Sequence, residues 1–466
     1  MTDLYDQFSA FITQNQLIKN NSTVIVGVSG GVDSMVLLHL LLHYGKCTNL
    51  QIVAVHLNHS LRGKAADHDE RTVREFCQSK TCLFHSKKID VKQYAKKNKL
   101  SLEMAGRKLR YALFNEIAQP YHGSLIATAH TSDDQVETIL LRIIKGTGLR
   151  GLQGIQVKRD NVIHPLLFAA KEDIYQYANQ HKIPYHEDQT NIDISIPRNF
   201  IRQTLIPSIR STLNPALERS ILQLSSIASD ANHFIENFAQ NALKRCLSRQ
   251  SSREIALDIS RLKRYFTTVK FEVIRECITQ LNHPDSQVDY TMMDNILKLA
   301  ENGQTGNRLR ITADLLACVD RNELVFVRNN EQKWKTLQII PGKEYITGFF
   351  RFQTEIVENP DFSKERDHKG IEYIDLEQLG SQIILRPWKE SDRITPLGVT
   401  HTKKISDVFI DQKVPLYKKK HIPILVSDDT IVWVCGLKLS EKYRIGPSTK
   451  RALKLIYEEL DICQKQ

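Results

Sequence analysis

Residues 24 to 34 read Val24-Ile25-Val26-Gly27-Val28-Ser29-Gly30-Gly31-Val32-Asp33-Ser34, and two patterns meet in them. The first half is short, β-branched and uncharged, which predicts a strand buried on both faces. The second half sets paired glycines and two hydroxyls ahead of an apolar helical run, residues 35 to 42, that Gly45 can end. Strand, glycine turn and helix in that order make a βα unit with an anion cradle at the helix N-terminus. There, backbone N–H groups can approach a phosphate and the helix end attracts its charge. A GxxxxGK[ST] loop carries lysine before its last hydroxyl, whereas Asp33 holds that place here and suits a Mg²⁺ that accompanies phosphates. The plain alternative is a capped Gly-Gly turn, but five fixed positions between strand and helix favour a nucleotide loop.

Further strand signals at 52–55, 83–89 and 125–129 alternate with helical stretches at 67–79 and 103–118. Such alternation predicts an α/β doubly wound parallel sheet, whose ligands sit beyond the carboxyl ends of the strands, after Val28, Val55 and Ala129. The second strand ends in His56-Leu57-Asn58-His59-Ser60-Leu61-Arg62-Gly63, two imidazoles, an amide and a guanidinium in one crevice. The fourth ends in His130-Thr131-Ser132-Asp133-Asp134-Gln135-Val136-Glu137-Thr138, where Asp133 and Glu137 should share a helix face with Asp134 beside them. Crowded carboxylates call for a metal ion or cationic substrate, or make one of them a base. An acidic helix start would also account for them. Glu103, Arg107, Arg110 and Tyr111 share a further helical face, which charge alone would leave solvated.

After about residue 210 the pattern changes. Asn214-Pro215 opens a long helix over 216–244, with others at 269–281 and 292–300, so a mainly helical middle domain is expected. Short strands then follow at 324–327, 349–355, 382–385 and 431–435, which predict a small α+β C-terminal domain. The expected boundaries are 1–212, 213–330 and 331–466, and 466 residues suffice for two to four such cores. The 64 basic residues exceed the 53 acidic ones by 11, and 41% of the chain is apolar, which excludes disorder and favours a polyanionic partner. No apolar run approaches the roughly 18 residues of a membrane span, and the first 16 residues lack a signal-peptide pattern. With eight scattered cysteines and no C-x-x-C pair, a cytoplasmic protein with reduced thiols is expected. A dense basic supply, Arg386, Lys389, Arg393, Lys403, Lys404, Lys418, Lys419 and Lys420 near Trp388, suits RNA phosphates, the alternative being a solvated lysine face.

The glycine loop resembles the signature of the N-type ATP pyrophosphatases, which split ATP between its α and β phosphates to adenylate a substrate oxygen. The order of the clusters resembles one family across most of the chain, the bacterial tRNA(Ile)-lysidine synthases. The matching segments are 29–34, 56–62, 103–111, 130–138, Gly146-Thr147-Gly148-Leu149-Arg150-Gly151-Leu152, Pro165-Leu166-Leu167, Glu187-Asp188-Gln189-Thr190-Asn191 and Arg198-Asn199-Phe200-Ile201-Arg202. One departure is Gly106, where the family more often has alanine; glycine weakens a helix by about 1 kcal/mol.

The resemblance implies that ATP adenylates the C2 carbonyl oxygen of the wobble cytidine in the CAU anticodon of tRNA(Ile), and that the ε-amine of free L-lysine then displaces AMP. It implies that Ser29, Gly30, Gly31, Val32, Asp33, Ser34, His56 and Asn58 hold ATP, with Asp33 on Mg²⁺. Arg110 and Asp134 would position the cytidine, with His130 among the catalytic groups. Glu137 and Arg202 would receive lysine, and Arg62, Arg107 and the C-terminal cations would hold tRNA. A homodimer through the helical middle domain is a further expectation. Among rivals, cytidine thiolases use a C-x-x-C pair that is absent here, and amidotransferases of the GMP or asparagine synthetase kind leave the basic C-terminal third without a purpose. A non-catalytic RNA binder leaves the acidic strand ends unexplained.

Overall fold

The uncharged strand and glycine turn lie where their composition puts them, at the centre of a sheet. The computed structural model describes residues 3–60, 63–186, 193–281, 288–328, 334–358, 370–447 and 449–460. Arg62 and the 187–191 segment therefore lie outside the described residues. The chain divides into two units, Met1–Phe234 and Ile235–Gln466.

The first unit runs α1 (Leu4–Gln14), β1 (Thr23–Gly27), α2 (Val32–Thr48), β2 (Gln51–Asn58), α3 (Lys64–Ser79), β3 (Leu83–Lys88), α4 (Val91–Asn98), α5 (Leu102–Ala118), β4 (Leu125–Ala127) and α6 (Ser132–Lys145). There follow α7 (Leu149–Leu152), β5 (Lys158–Arg159), β6 (Val162–Ile163), α8 (Lys171–Gln180), α9 (Pro197–Phe200), a π-helical turn at Ile201–Leu205, α10 (Ile206–Thr212) and the long α11 (Leu217–Cys246), which from Ile235 on belongs to the second unit. The sheet order is β3-β2-β1-β4-β6-β5. All pairings are parallel except β5 with β6. Val24, Ile25 and Val26 are fully buried because helices cover both faces, as the absence of polar alternation in β1 requires. On one face Phe8 of α1, Leu38 of α2 and Tyr177 of α8 join one apolar cluster. On the other, Ile25 and Val53 meet Leu113 and Phe114 of α5.

Gly45 does not end α2. The helix continues to Thr48 and stops at Asn49, which takes the left-handed conformation (φ +52°) that a non-glycine end residue rarely adopts except as Asn. Gly45 instead permits close packing, since a Cβ there would stand 3.2 Å from Ile52 Cδ1. Gly106 is buried inside α5, and an added Cβ would lie 3.4 Å from His59 Cε1, ordinary contact, so alanine would fit there.

In the second unit the expected helices are present as α13 (Thr267–Leu281) and α14 (Tyr290–Asn302), after a short α12 (Ile259–Leu262). They pack on a five-stranded antiparallel sheet, β7-β8-β11-β10-β9, which the sequence reading did not anticipate at β7 (Leu247–Gln250) and β8 (Glu254–Asp258). The remaining sheet strands are β9 (Arg308–Arg310), β10 (Leu315–Asp320) and β11 (Glu323–Arg328). The C-terminal part is mostly antiparallel strand around the buried Trp433, Phe350 and Phe352. Its strands at Ile383–Pro387 and Pro423–Ser427 pair with each other, and a small ribbon pairs Arg393–Ile394 with Lys403–Lys404.

Candidate functional site

Strand β1 is flanked by β2 on one side and β4 on the other, so the chain winds in opposite directions from it and a crevice opens at their carboxyl ends. A cavity of about 420 Å³ occupies that crevice. Ser29, Gly31, Asp33, Ser34, His56, Asn58, Arg110 and His130 line it, together with Phe114 and Asp69. The glycine loop is held open by its own hydroxyls. Ser34 Oγ accepts the Ser29 N–H (3.1 Å) and donates to the Gly31 carbonyl (2.9 Å), and Ser29 Oγ accepts the Gly31 N–H (3.3 Å). Gly30 has φ +93°, the left-handed region, and its carbonyl accepts the His186 N–H at 3.0 Å. Gly31 caps α2 with no side-chain hydrogen bond, leaving the helix N-terminus to a ligand.

Asp33 stands in the first turn of α2. Its Oδ2 is 3.6 Å from Lys171 Nζ, while its Oδ1 is buried without a hydrogen-bond partner. Burial pushes its carboxyl above the usual range, with Lys171 pulling the other way. An orphaned carboxylate oxygen at a phosphate loop fits a hard divalent cation. No cluster of three or more His, Cys, Asp or Glu side chains that could hold a metal occurs among the described residues, so phosphate oxygens would have to complete its shell.

His56 lies almost fully buried with Nδ1 2.8 Å from the Val28 carbonyl, and burial holds it below the ordinary imidazole value. Asn58 spends its amide on Asp67 (2.9 Å) and Glu70 (3.3 Å), which fixes the end of β2. His130 Nδ1 is 2.9 Å from Thr128 Oγ1 and its ring packs edge-on against His164 at 4.8 Å. Burial, then His164, depresses His130 to about 4, so it is neutral at pH 7. Arg107 points to solvent beside Tyr111, 5.1 Å from its ring centre.

The carboxylates of α6 do not divide as their spacing suggested. Asp133 turns away and accepts the Lys171 N–H at 2.9 Å, at the start of α8. Asp134 and Glu137, three apart, are the pair that converges. Asp134 closes a capping box with Thr131, and its Oδ1 accepts from Arg198 Nη2 at 2.7 Å. Glu137, 1% exposed, accepts from Arg198 Nε (2.7 Å), Arg202 Nε (2.5 Å) and Arg202 Nη2 (3.0 Å). Burial alone would raise the Asp134 carboxyl, but Arg198 and the Thr131 amide outweigh it and hold it below the usual range. Two carboxylates and two guanidiniums thus form one compact set, and Asp33 feels charge from both Asp134 and Arg202. Gln135 ties the segment that follows α7 to α6 by donating to the carbonyls of Gln153 (3.0 Å) and Ile155 (3.2 Å).

Sequence reasoning gave no role to Lys171, Arg198 or His164. Arg198 stood within a quoted motif, but its partner Asp134 is 64 residues away, and nothing local distinguishes it from Arg202.

The C-terminal cations differ in their freedom. Arg386 is locked in a bidentate pair with Asp392, both bonds 2.8 Å and the side chains 13% and 7% exposed, so it braces the 386–392 turn instead of facing solvent. Lys403 pairs with Asp411, and Lys418 with Glu459 at 3.0 Å. Lys419 lies 5.8 Å from the Phe409 ring centre. Lys389, Arg393, Lys404 and Lys420 are exposed. Arg393 and Lys404 stand directly opposite across the ribbon, an unfavourable pairing that an anion would relieve.

The PP-loop domain family matches residues 2–209 and the TilS substrate C-terminal domain family matches residues 383–457. The tRNA(Ile)-lysidine synthase of Clostridium tetani is 32% identical over 456 residues, covering 96% of this chain and 97% of its own length. That of Parabacteroides distasonis is 32% identical, covering 95% and 97%. Among solved structures, the U34-tRNA thiolase of Methanococcus maripaludis is 19% identical with a TM-score of 0.40, covering 48% of this chain and 78% of that one. No described helix is long and apolar enough to cross a membrane.

Proposed function

The chain belongs to the tRNA(Ile)-lysidine synthases, ligases that use ATP, and from that membership we propose that it joins free L-lysine to C2 of the wobble cytidine in the CAU anticodon of tRNA(Ile). The reaction runs in the cytoplasm through an adenylated cytidine, releases pyrophosphate and then AMP, and switches codon reading from AUG to AUA. The observation that carries this reading is the Asp134–Glu137–Arg198–Arg202 set beside the phosphate loop. A free amino acid presents ammonium and carboxylate groups together, and this set offers a counter-charge for each.

In the first step, the loop amides of residues 29–34 and the N-terminus of α2 hold the triphosphate. Asp33 Oδ1, with Lys171 nearby, is the group that would hold Mg²⁺. That ion, when bound, neutralises charge on the leaving pyrophosphate. Arg110 and Asp134 position the cytidine so that its O2 meets the α-phosphorus, and neutral His130 packs beside them as a donor or acceptor. In the second step Arg202 and Glu137 seat lysine. Its ε-ammonium, ordinarily near pKa 10.4, must lose a proton before it can attack C2 and expel AMP, and a carboxylate of this set receives that proton. Lys389, Arg393, Lys404 and Lys420 supply exposed charge for the RNA backbone.

The test is to incubate the protein with Mg-ATP, labelled lysine and an unmodified tRNA(Ile) transcript with a CAU anticodon. Label that enters RNA only with ATP, and is lost in D33A, supports the reading. Pyrophosphate release without lysine incorporation sinks it and points to another nucleophile. E137Q should keep adenylation and slow lysine transfer; unchanged transfer would remove Glu137 from the lysine site.

A further inference from the structure

A cavity of about 730 Å³ in the second unit lies far along the chain from the phosphate loop and has no place in the chemistry above. Arg253, Phe349, Lys413, Tyr417, Lys418 and His421 line it. Phe349 and His421 stack nearly parallel, with ring centres 4.4 Å apart at 17°. Arg253 stands 5.9 Å from the Phe349 ring centre, and its Nη2 donates to the Gly348 carbonyl at 3.0 Å, which fixes the guanidinium there. His421 Nδ1 is buried without a hydrogen-bond partner. Burial, then Arg253, holds this imidazole below its ordinary value, so its ring is neutral at pH 7.

The acidic residues around the cavity are largely neutralised. Glu254 pairs with Arg249 and Lys418, and Glu459 with Lys418. Lys413 is exposed, sits in a left-handed turn (φ +54°), and has no acidic partner among the described residues. Stacked rings, a fixed guanidinium and a free ammonium are the parts that bind one nucleotide through its base and its phosphate. A paired base has both faces covered by neighbours in its helix, so only an unpaired one could use the rings.

We propose that this cavity receives one unpaired nucleotide of an RNA, its base against the Phe349–His421 stack and its phosphate on Lys413. The proposal rests on the reading that the chain handles tRNA, but its test uses neither ATP nor lysine, so the two can fail separately. A fluorescent mixed-sequence single-stranded RNA tetranucleotide is titrated into the full chain, with a blunt RNA duplex and AMP as competitors. H421A and K413E should each weaken tetranucleotide binding about fivefold or more, the scale of one lost base stack or phosphate contact. H421A should leave duplex binding unchanged. Lys413 lies outside every core, so K413E keeps the test decisive should H421A fold poorly. Equal binding by parent and K413E would overturn the proposal. So would duplex competing as well as the tetranucleotide, which means general charge, or AMP competing as well, which means a free-nucleotide site.

Discussion

Gly27, the last residue of β1, is the position at which one added methyl group should disturb the site most directly. Its backbone is ordinary; what excludes a side chain is Phe114, whose Cζ would lie 2.4 Å from a Cβ there, with two further ring carbons at 3.1 and 3.3 Å. Normal carbon contact is near 3.6 Å, so the ring must retreat by about 1.2 Å. It has little room, because Phe114 is 1% exposed and packed among Ile25, Val53, Val55 and Ile126. G27A is therefore expected to destabilise the first unit by about 2 kcal/mol, the usual cost of overpacking a filled core. F114L alone should cost about 1 kcal/mol, yet it vacates the space that the new methyl group needs. The double variant should then be more stable than the sum of the singles by about 1 kcal/mol or more, the signature of residues in contact. All three tryptophans, Trp334, Trp388 and Trp433, belong to the second unit, so their fluorescence is blind to this change. Amide hydrogen exchange at 24–26 reports it instead, and about 2 kcal/mol corresponds to roughly 30-fold faster exchange in G27A. Because Phe114 also lines the cavity proposed to take ATP, KM for ATP should rise in G27A and recover in part in the double variant. Strictly additive exchange rates would refute the contact argument.

Three other outcomes are expected. D33N should abolish most ATP-dependent pyrophosphate release while leaving thermal unfolding unchanged or slightly higher, since burial disfavours the ionised Asp33; a marked drop in Tm would show that the carboxylate is structural. D392A leaves Arg386 buried without its partner and should cost about 3 kcal/mol in urea unfolding followed by tryptophan fluorescence, whereas R386M/D392L should cost much less; equal losses would mean the pair is not the brace. His130 has a folded value of about 4 against an ordinary 6.5, so stability that is complete above 6.5 is lost as pH falls toward 4; H130N should flatten the exchange-derived stability of the first unit across that window, and an unchanged slope would contradict the assignment.

Strand β1, its loop and α2 were legible because each depends on neighbours in sequence: β-branched residues, two glycines and an apolar run. The same holds for the start of α6, where Thr131 and Asp134 cap their own helix. Spacing alone did not choose between Asp133 and Asp134, although the family resemblance named Asp134, because the choice turns on Lys171 and Arg198, 38 and 64 residues away. Helical spacing said which carboxylates share a face but not which face meets the guanidiniums. The basic C-terminal run misled in a similar way. Charge density cannot distinguish Arg386, bound to a buried aspartate, from Lys389, three residues on and exposed. The strand at 254–258 escaped notice because its register is set by β11, a partner more than sixty residues later, and the one at 247–250 is an edge strand that pairs only with it.

The π turn at Ile201–Leu205 bears on how this chain can tolerate insertions and deletions. Ile201 and Ile206 belong to one apolar cluster with Val136, Ile139 and Ile221, although they are five residues apart. In an α-helix that spacing would turn them about 140° from each other. The wider turn, with its i to i+5 bonding, brings them back toward one face while Arg198 and Arg202 stay aimed at Glu137. Removing one of residues 203–205 would restore commonplace helix geometry and leave Ile206 four positions after Ile201, about 40° away and still on the cluster's face, whereas adding one more residue would swing every side chain downstream by about 100°. This segment should therefore tolerate the loss of one residue better than the gain of one.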